Sequence, residues 1–134
     1  MTKRHSILLV DHGSRRDEAN QSLVKLAALV NSQVGPDVFV SYAHMELASP
    51  TIAEGYATCV ESGAEEVIVH PYMLAPGRHA SEDIPNLVKA AASSFPEVSY
   101  RVTEPLGVHE LLARLVLERC GMLSEATKAQ RSTQ

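Results

Sequence analysis

Apolar and polar positions along this chain follow two rhythms in turn. Short runs of leucine, valine and isoleucine end in polar loops, and each loop opens a stripe with helical period. The first run covers residues 6–10 and closes with Ile7-Leu8-Leu9-Val10; Asp11-His12-Gly13-Ser14-Arg15-Arg16 then reads as a strand-to-helix turn. A helix is predicted over 16–33 from the stripe Ala19, Leu23, Leu26, Ala27 and Val30, with Ser14 as its cap and Gly35-Pro36 as its stop. A second strand over 37–42 leads through Ala43-His44-Met45-Glu46-Leu47-Ala48 to Ser49-Pro50, which reads as N-cap and first helical residue. That helix continues to about residue 62 with Ile52, Tyr56, Cys59 and Val60 inward, and Gly63 follows it as the left-handed terminator.

The third strand, 66–70, runs into a long proline-bracketed loop, Pro71-Tyr72-Met73-Leu74-Ala75-Pro76-Gly77-Arg78-His79. A third helix is expected over 81–94 with Ile84, Leu87, Val88 and Ala91 inward, and a fourth strand over 98–103 whose mixed polarity suits a sheet edge. The last helix, 108–120, is dense enough in Leu and Val to touch partners on two sides, a second subunit among them. Strands at intervals of about thirty residues, each followed by a helix, predict an α/β fold with a four-stranded parallel sheet, order 2-1-3-4, and helices on both faces. One domain over 1–121 and a polar, disordered tail over 122–134 are expected.

Composition narrows the function. With 134 residues, 45% apolar, the chain has enough material for one sizeable core, but its aromatic fraction of 4% leaves that core to aliphatic side chains. A net charge of −4 argues against nucleic acid as a partner, because a basic face supplies most of that affinity. No apolar run approaches a membrane span, and no leader sequence is recognisable, so a cytoplasmic protein is expected. Cys59 and Cys120 form no CxxC pair and read as two reduced, mostly buried thiols.

In an open parallel sheet, ligands bind beyond the carboxyl ends of the strands. The loops there carry His12, Ser14, Arg15 and Arg16, then His44 and Glu46, then Arg78 and His79. With strands one and three adjacent, His12 and His79 face one crevice. Histidine there serves as metal ligand, proton acceptor or plain loop residue. Glu46, set between Met45 and Leu47, is expected to be partly buried and to need a partner, while His44 is a third ligand or a support. The stiff apolar stretch Tyr72-Met73-Leu74-Ala75 would wall a flat ligand, and the three arginines would take its anionic edges. Two rivals use the same residues. A phosphate-handling enzyme would set its anion on Ser14, Arg15 and Arg16 at a helix N-terminus with His12 as nucleophile, and a carrier would bind without turnover.

His12-Gly13-Ser14-Arg15, Met45-Glu46-Leu47-Ala48-x-Pro50, Pro76-Gly77-Arg78-His79-x₃-Asp83-Ile84-Pro85 and Pro105-Leu106-Gly107, in this order, resemble the small sirohydrochlorin chelatases, the CbiX/SirB family of class II chelatases. The resemblance covers roughly residues 6–120. It implies insertion of a divalent metal (Fe²⁺, Co²⁺ or Ni²⁺) into sirohydrochlorin, a homodimer, and no permanent cofactor. His12 and His79 match the family's metal-binding and catalytic histidines, and Glu46 matches an acidic residue after strand two. Ser14, Arg15, Arg16, Tyr72, Met73, Leu74, Ala75 and Arg78 would then contact the tetrapyrrole. Iron is favoured because the 43–48 stretch is most similar to sirohaem-making relatives. Plant relatives carry a Cys-rich tail suited to an Fe–S cluster; residues 121–134 contain no Cys, so no such cluster is expected.

Overall fold

A computed structural model describes residues 3–123. Its elements are β1 (His5–Asp11), α1 (Asp17–Ser32), β2 (Val38–His44), α2 (Ile52–Glu61), β3 (Glu66–Pro71), a π-helical turn (His79–Asp83), α3 (Ile84–Ala92), β4 (Ser99–Val102) and α4 (Glu110–Arg119). The four strands form one parallel sheet in the order β2-β1-β3-β4, as the alternation of strand and helix patterns predicts. The expected tail lies outside the described residues, apart from 122 and 123.

Burial follows the strand period. Leu8, Val10, Val67 and Val69 have no exposure and pack under Ile52, Tyr56 and Cys59 of α2 and Ile84 and Val88 of α3. Side chains of that kind stabilise the fold by about 1.5–3 kcal/mol each. Leu9 points to the opposite face, where Leu23 and Ala27 of α1 cover it, with Ile7, Val40 and Tyr42 alongside. Gly55 lets α2 approach the sheet, since a Cβ there would lie 2.9 Å from Ala43 Cβ and 3.0 Å from Leu8 Cδ1.

Several details differ from the sequence expectation, each for a physical reason. Ala19 is exposed and Asn20 takes the inward place in α1, because its amide brackets Ser14, donating to the Ser14 carbonyl at 2.8 Å and accepting from its N–H at 3.0 Å. Ser14 does not cap α1: Arg16 is the N-cap and has no side-chain cap bond. The cap of α2 is Thr51, not Ser49, since Thr51 and Glu54 form a reciprocal capping box. Ser49 would need Glu or Gln at Ile52, which is buried instead.

Leu87 turns outward from α3 while Ala92 turns in. A π-helical turn precedes α3 because Pro85 has no N–H to donate to Ser81 and its ring crowds that carbonyl. Cys59 is fully buried, whereas Cys120 is exposed at the end of α4, where no core reaches it. α4 buries none of its residues and leaves Leu111, Leu115, Val116 and Leu117 exposed.

Candidate active site

The carboxyl ends of β1 and β2 are locked together beyond the regular ladder. Met45 N–H donates to the Asp11 carbonyl at 2.9 Å, and Glu46 N–H donates to the His12 carbonyl at 3.1 Å. Between them His44, with 1% exposure, pairs its Nδ1 with Asp11 Oδ1 at 2.6 Å. His44 is therefore inside the protein, bound to its neighbour strand, and is no third ligand in the crevice. Gly13 completes the lock. Its φ is +92°, and a Cβ there would fall 1.8 Å from the Glu46 carbonyl oxygen.

On this platform His12 Nε2 meets Glu46 Oε1 at 3.0 Å, both side chains about half exposed. The partner that Glu46 requires is thus His12, although Glu46 is more open than expected. His79 arrives from β3 through the 72–78 loop and the π-helical turn. Its ring stands edge-on to His12, centroids 4.7 Å apart and planes at 84°, and its Nδ1 lies 2.8 Å from Asp83 Oδ2. Two imidazoles and two carboxylates thereby converge where β1, β2 and β3 end. Among the described residues no group of three or more His, Cys, Asp or Glu forms a ready-made metal cage. What is present is an open set of nitrogen and oxygen donors of the type that divalent first-row metals accept.

A concavity of ≈ 330 Å³ opens beside these groups, lined by Met45, Glu46, His79, Asp83, Asn86 and Leu87. Met45 and Leu87 also border an apolar groove of ≈ 580 Å³ that runs between α2 and α3 past Ile52, Ala91 and Phe95. None of Ser14, Arg15, Arg16, Tyr72, Met73, Leu74, Ala75 or Arg78 lines this concavity. Arg15 and Arg16 are exposed. Arg78 pairs with Glu82, Nε to Oε2 at 3.4 Å, in solvent. Met73 packs against the core, while Tyr72 and Leu74 are exposed. The loop is braced from the segment after β4, since Leu106 and Gly107 donate to the carbonyls of Met73 and Leu74.

The start of α1 makes a poor phosphate cradle: Asp17 and Glu18 set carboxylates in its first turn, and just before it Ser14 N–H is taken by Asn20 and Arg16 N–H by the Ser14 hydroxyl, both at 3.0 Å. Asp83, Asn86, Leu87 and Met45 line the concavity although the sequence did not single them out as candidate site residues. The signal for Asp83 was its place four residues after His79, at helical reach. His70 lies apart from the cluster. Its Nδ1 bonds Thr103 Oγ1 at 2.8 Å, and burial pushes its pKa down against a smaller opposing effect of the Glu104 backbone.

Comparison with known proteins assigns the lineage of this architecture. The CbiX family model matches residues 6–122, and the chain belongs to the CbiX family. It is 45% identical over 113 residues to the chloroplastic sirohydrochlorin ferrochelatase of Arabidopsis thaliana, covering 84% of this chain and 50% of that protein. It is 33% identical to the sirohydrochlorin cobaltochelatase of Methanococcoides burtonii, covering 89% of this chain and 96% of the relative. Among solved structures, SirB from Bacillus subtilis with Fe³⁺ superposes with a TM-score of 0.79 at 32% identity, over 87% of this chain and 46% of SirB. The chain thus spans about half the length of the plant and Bacillus proteins. No helix of the described residues is long and apolar enough to cross a membrane.

Proposed function

We propose that the chain inserts a divalent metal, Fe²⁺ by preference, into sirohydrochlorin. The observation that carries this reading is the convergence of His12, Glu46 and His79, with His12 bonded to Glu46 at 3.0 Å and edge-on to His79 at 4.7 Å. Insertion replaces two pyrrole N–H protons by one M²⁺, so proton acceptors and a metal donor must work on the same ring centre. His79 presents an imidazole nitrogen to the ion. His12 and Glu46 receive the protons, and their mutual hydrogen bond lets charge pass between them as each proton arrives. A metal that must leave for the macrocycle is better served by this open donor set than by a closed tetrahedral site. The metal is consumed as substrate, and the reaction asks for no resident cofactor, an Fe–S cluster included.

The macrocycle rests on the Met45 and Leu87 side of the concavity and extends beyond that lining, where its carboxylates and outer edge would meet the exposed Arg15, Arg16, Arg78, Tyr72 and Leu74. Two copies associate through α4, whose exposed Leu111, Leu115, Val116 and Leu117 favour removal from water. A reducing compartment, the cytoplasm first, suits its two free cysteines. Cobalt or nickel insertion is the alternative reaction, and a carrier is the alternative class.

Anaerobic absorbance of sirohydrochlorin with Fe²⁺, Co²⁺ or Ni²⁺ tests the proposal against the uncatalysed rate. Multiple turnovers are expected, with a loss of about 10²–10⁴-fold for His12→Ala or Glu46→Gln and loss of metal saturation for His79→Ala. Tetrapyrrole binding without turnover would make the chain a carrier. Full activity in both His12→Ala and His79→Ala would remove the assigned site.

A further inference from the structure

Asp83 receives no task in the reaction just described, yet its carboxylate is committed to one atom of the site. We propose that Asp83 is a positioning residue that fixes the tautomer and ring orientation of His79, so that Nε2 is the nitrogen offered to the metal. The inference rests on the reading of His79 as the metal donor.

Asp83 Oδ2 lies 2.8 Å from His79 Nδ1. An ionised carboxylate only accepts, so the proton of the neutral imidazole sits on Nδ1 and the lone pair on Nε2. Nδ1 is the nitrogen nearer the backbone, which leaves Nε2 at the projecting end of the ring. His79 needs such a tether because it is about half exposed, with the near-perpendicular ring of His12 as its ring contact. Asp83 continues the helical backbone from the π-helical turn into α3 (φ −66°, ψ −50°) and its side chain makes no cap bond, so its carboxylate is committed to His79.

Local structure holds the two residues at this spacing. The π-helical turn closes with Ile84 N–H donating to the His79 carbonyl, and Pro85 stops the turn from tightening. Arg78, the nearest cation in sequence, is paired with Glu82 and leaves Asp83 to the histidine. A carboxylate behind a ligating imidazole also strengthens the donor nitrogen. His12 is held in the opposite sense, through Nε2, by Glu46, so each of the two histidines has a carboxylate partner on a different ring nitrogen.

The full chain carrying Asp83→Ala, Asp83→Asn or His79→Ala tests this. Co²⁺ titration without tetrapyrrole, in competition with a chromophoric chelator, should weaken by about 10–100-fold in Asp83→Ala. The KM for metal should rise by a similar factor while the KM for sirohydrochlorin stays within twofold. Asp83→Asn, whose amide oxygen can still accept from Nδ1, should recover most of the loss. Nitrogen-15 spectra of histidine-labelled protein should show His79 protonated on Nδ1 in the unaltered chain and mainly on Nε2 in Asp83→Ala. Wild-type Co²⁺ affinity in Asp83→Ala, or an unchanged His79 tautomer, would overturn the proposal. If His79→Ala itself keeps full metal affinity and turnover, the reading of His79 as donor falls. If only His79→Ala is impaired, that reading stands and Asp83 alone is wrongly assigned.

Discussion

Replacing Gly13 by alanine tests whether the interlock of β1 and β2 is what holds the His12–Glu46 pair. Gly13 sits at φ +92°, where an L side chain is strained by about 1–2 kcal/mol. Its new Cβ would also lie 1.8 Å from the Glu46 carbonyl oxygen and 3.2 Å from His44 Cβ. The obstructing atom belongs to the backbone, so no side-chain rotation relieves the clash. Glu46 must move away by more than an ångström, or the His12-Gly13 turn must rebuild. Either change breaks the Glu46 N–H bond to the His12 carbonyl, a further loss of about 1 kcal/mol. Together these lower stability by roughly 2–3 kcal/mol, a fall in Tm of about 10 °C for a domain of this size. On the proposed reaction, misplacing the His12–Glu46 pair by an ångström costs about 10²-fold in turnover. Thermal unfolding and anaerobic metal insertion measure the two effects separately. Gly35→Ala is the control, because a Cβ there meets nothing within 4 Å, and its effect should be neutral or slightly stabilising. A Gly13→Ala protein with unchanged Tm and turnover within threefold would refute the claim that this interlock sets the site.

Two further outcomes follow from buried polar groups. The Tyr56 hydroxyl is fully buried with no hydrogen-bond partner among the described residues, so Tyr56→Phe should raise stability by about 1–2 kcal/mol in denaturant titration; a loss would show that the hydroxyl is bonded after all. His70 has a folded pKa pushed below its ordinary value by burial, so the unfolded chain takes up its proton first as pH falls. Its contribution is complete above the unfolded pKa, about 6.5, and declines from there towards the lower folded value. Tm measured from pH 7.5 downward should therefore fall less steeply in His70→Gln than in the unaltered chain, and equal slopes would contradict the burial argument.

The residues differ in how far they reveal these arrangements. Hydrophobic runs such as Ile7–Val10, set between polar loops, announce the parallel sheet, because strands buried on both faces must be apolar throughout. That order brings His12 and His79 to neighbouring strands, and their ring contact follows from it. Pairings across strands are less visible. Nothing in the local sequence shows that Asp11 claims His44, which turns an apparent ligand into a buried strut. The box formed by Thr51 and Glu54 wins over Ser49-Pro50 through a reciprocal bond that a single capping residue cannot match. Leu87 satisfies the helical stripe yet faces the concavity, since amphipathic spacing does not separate core from binding surface. The apolar loop 72–75 looks like a wall for a ligand, but bracing from Leu106 and Gly107 turns Met73 into the core.

The two sides of the crevice also differ in stiffness. His12 and Glu46 ride on the ends of adjacent strands whose hydrogen bonds continue beneath them, so their separation is inherited from the spacing of the sheet. His79 stands beyond the 72–78 loop, outside the sheet ladder, on a single wide turn closed by the Ile84 N–H and with its ring tethered by the Asp83 carboxylate. The crevice resembles a vice with one fixed jaw and one sprung jaw. On the proposed reaction, accommodation of ions of different radius falls to the His79 side, so a lineage exchanging one metal for another would have room to do so in residues 72–83 while the His12–Glu46 pair stays unchanged.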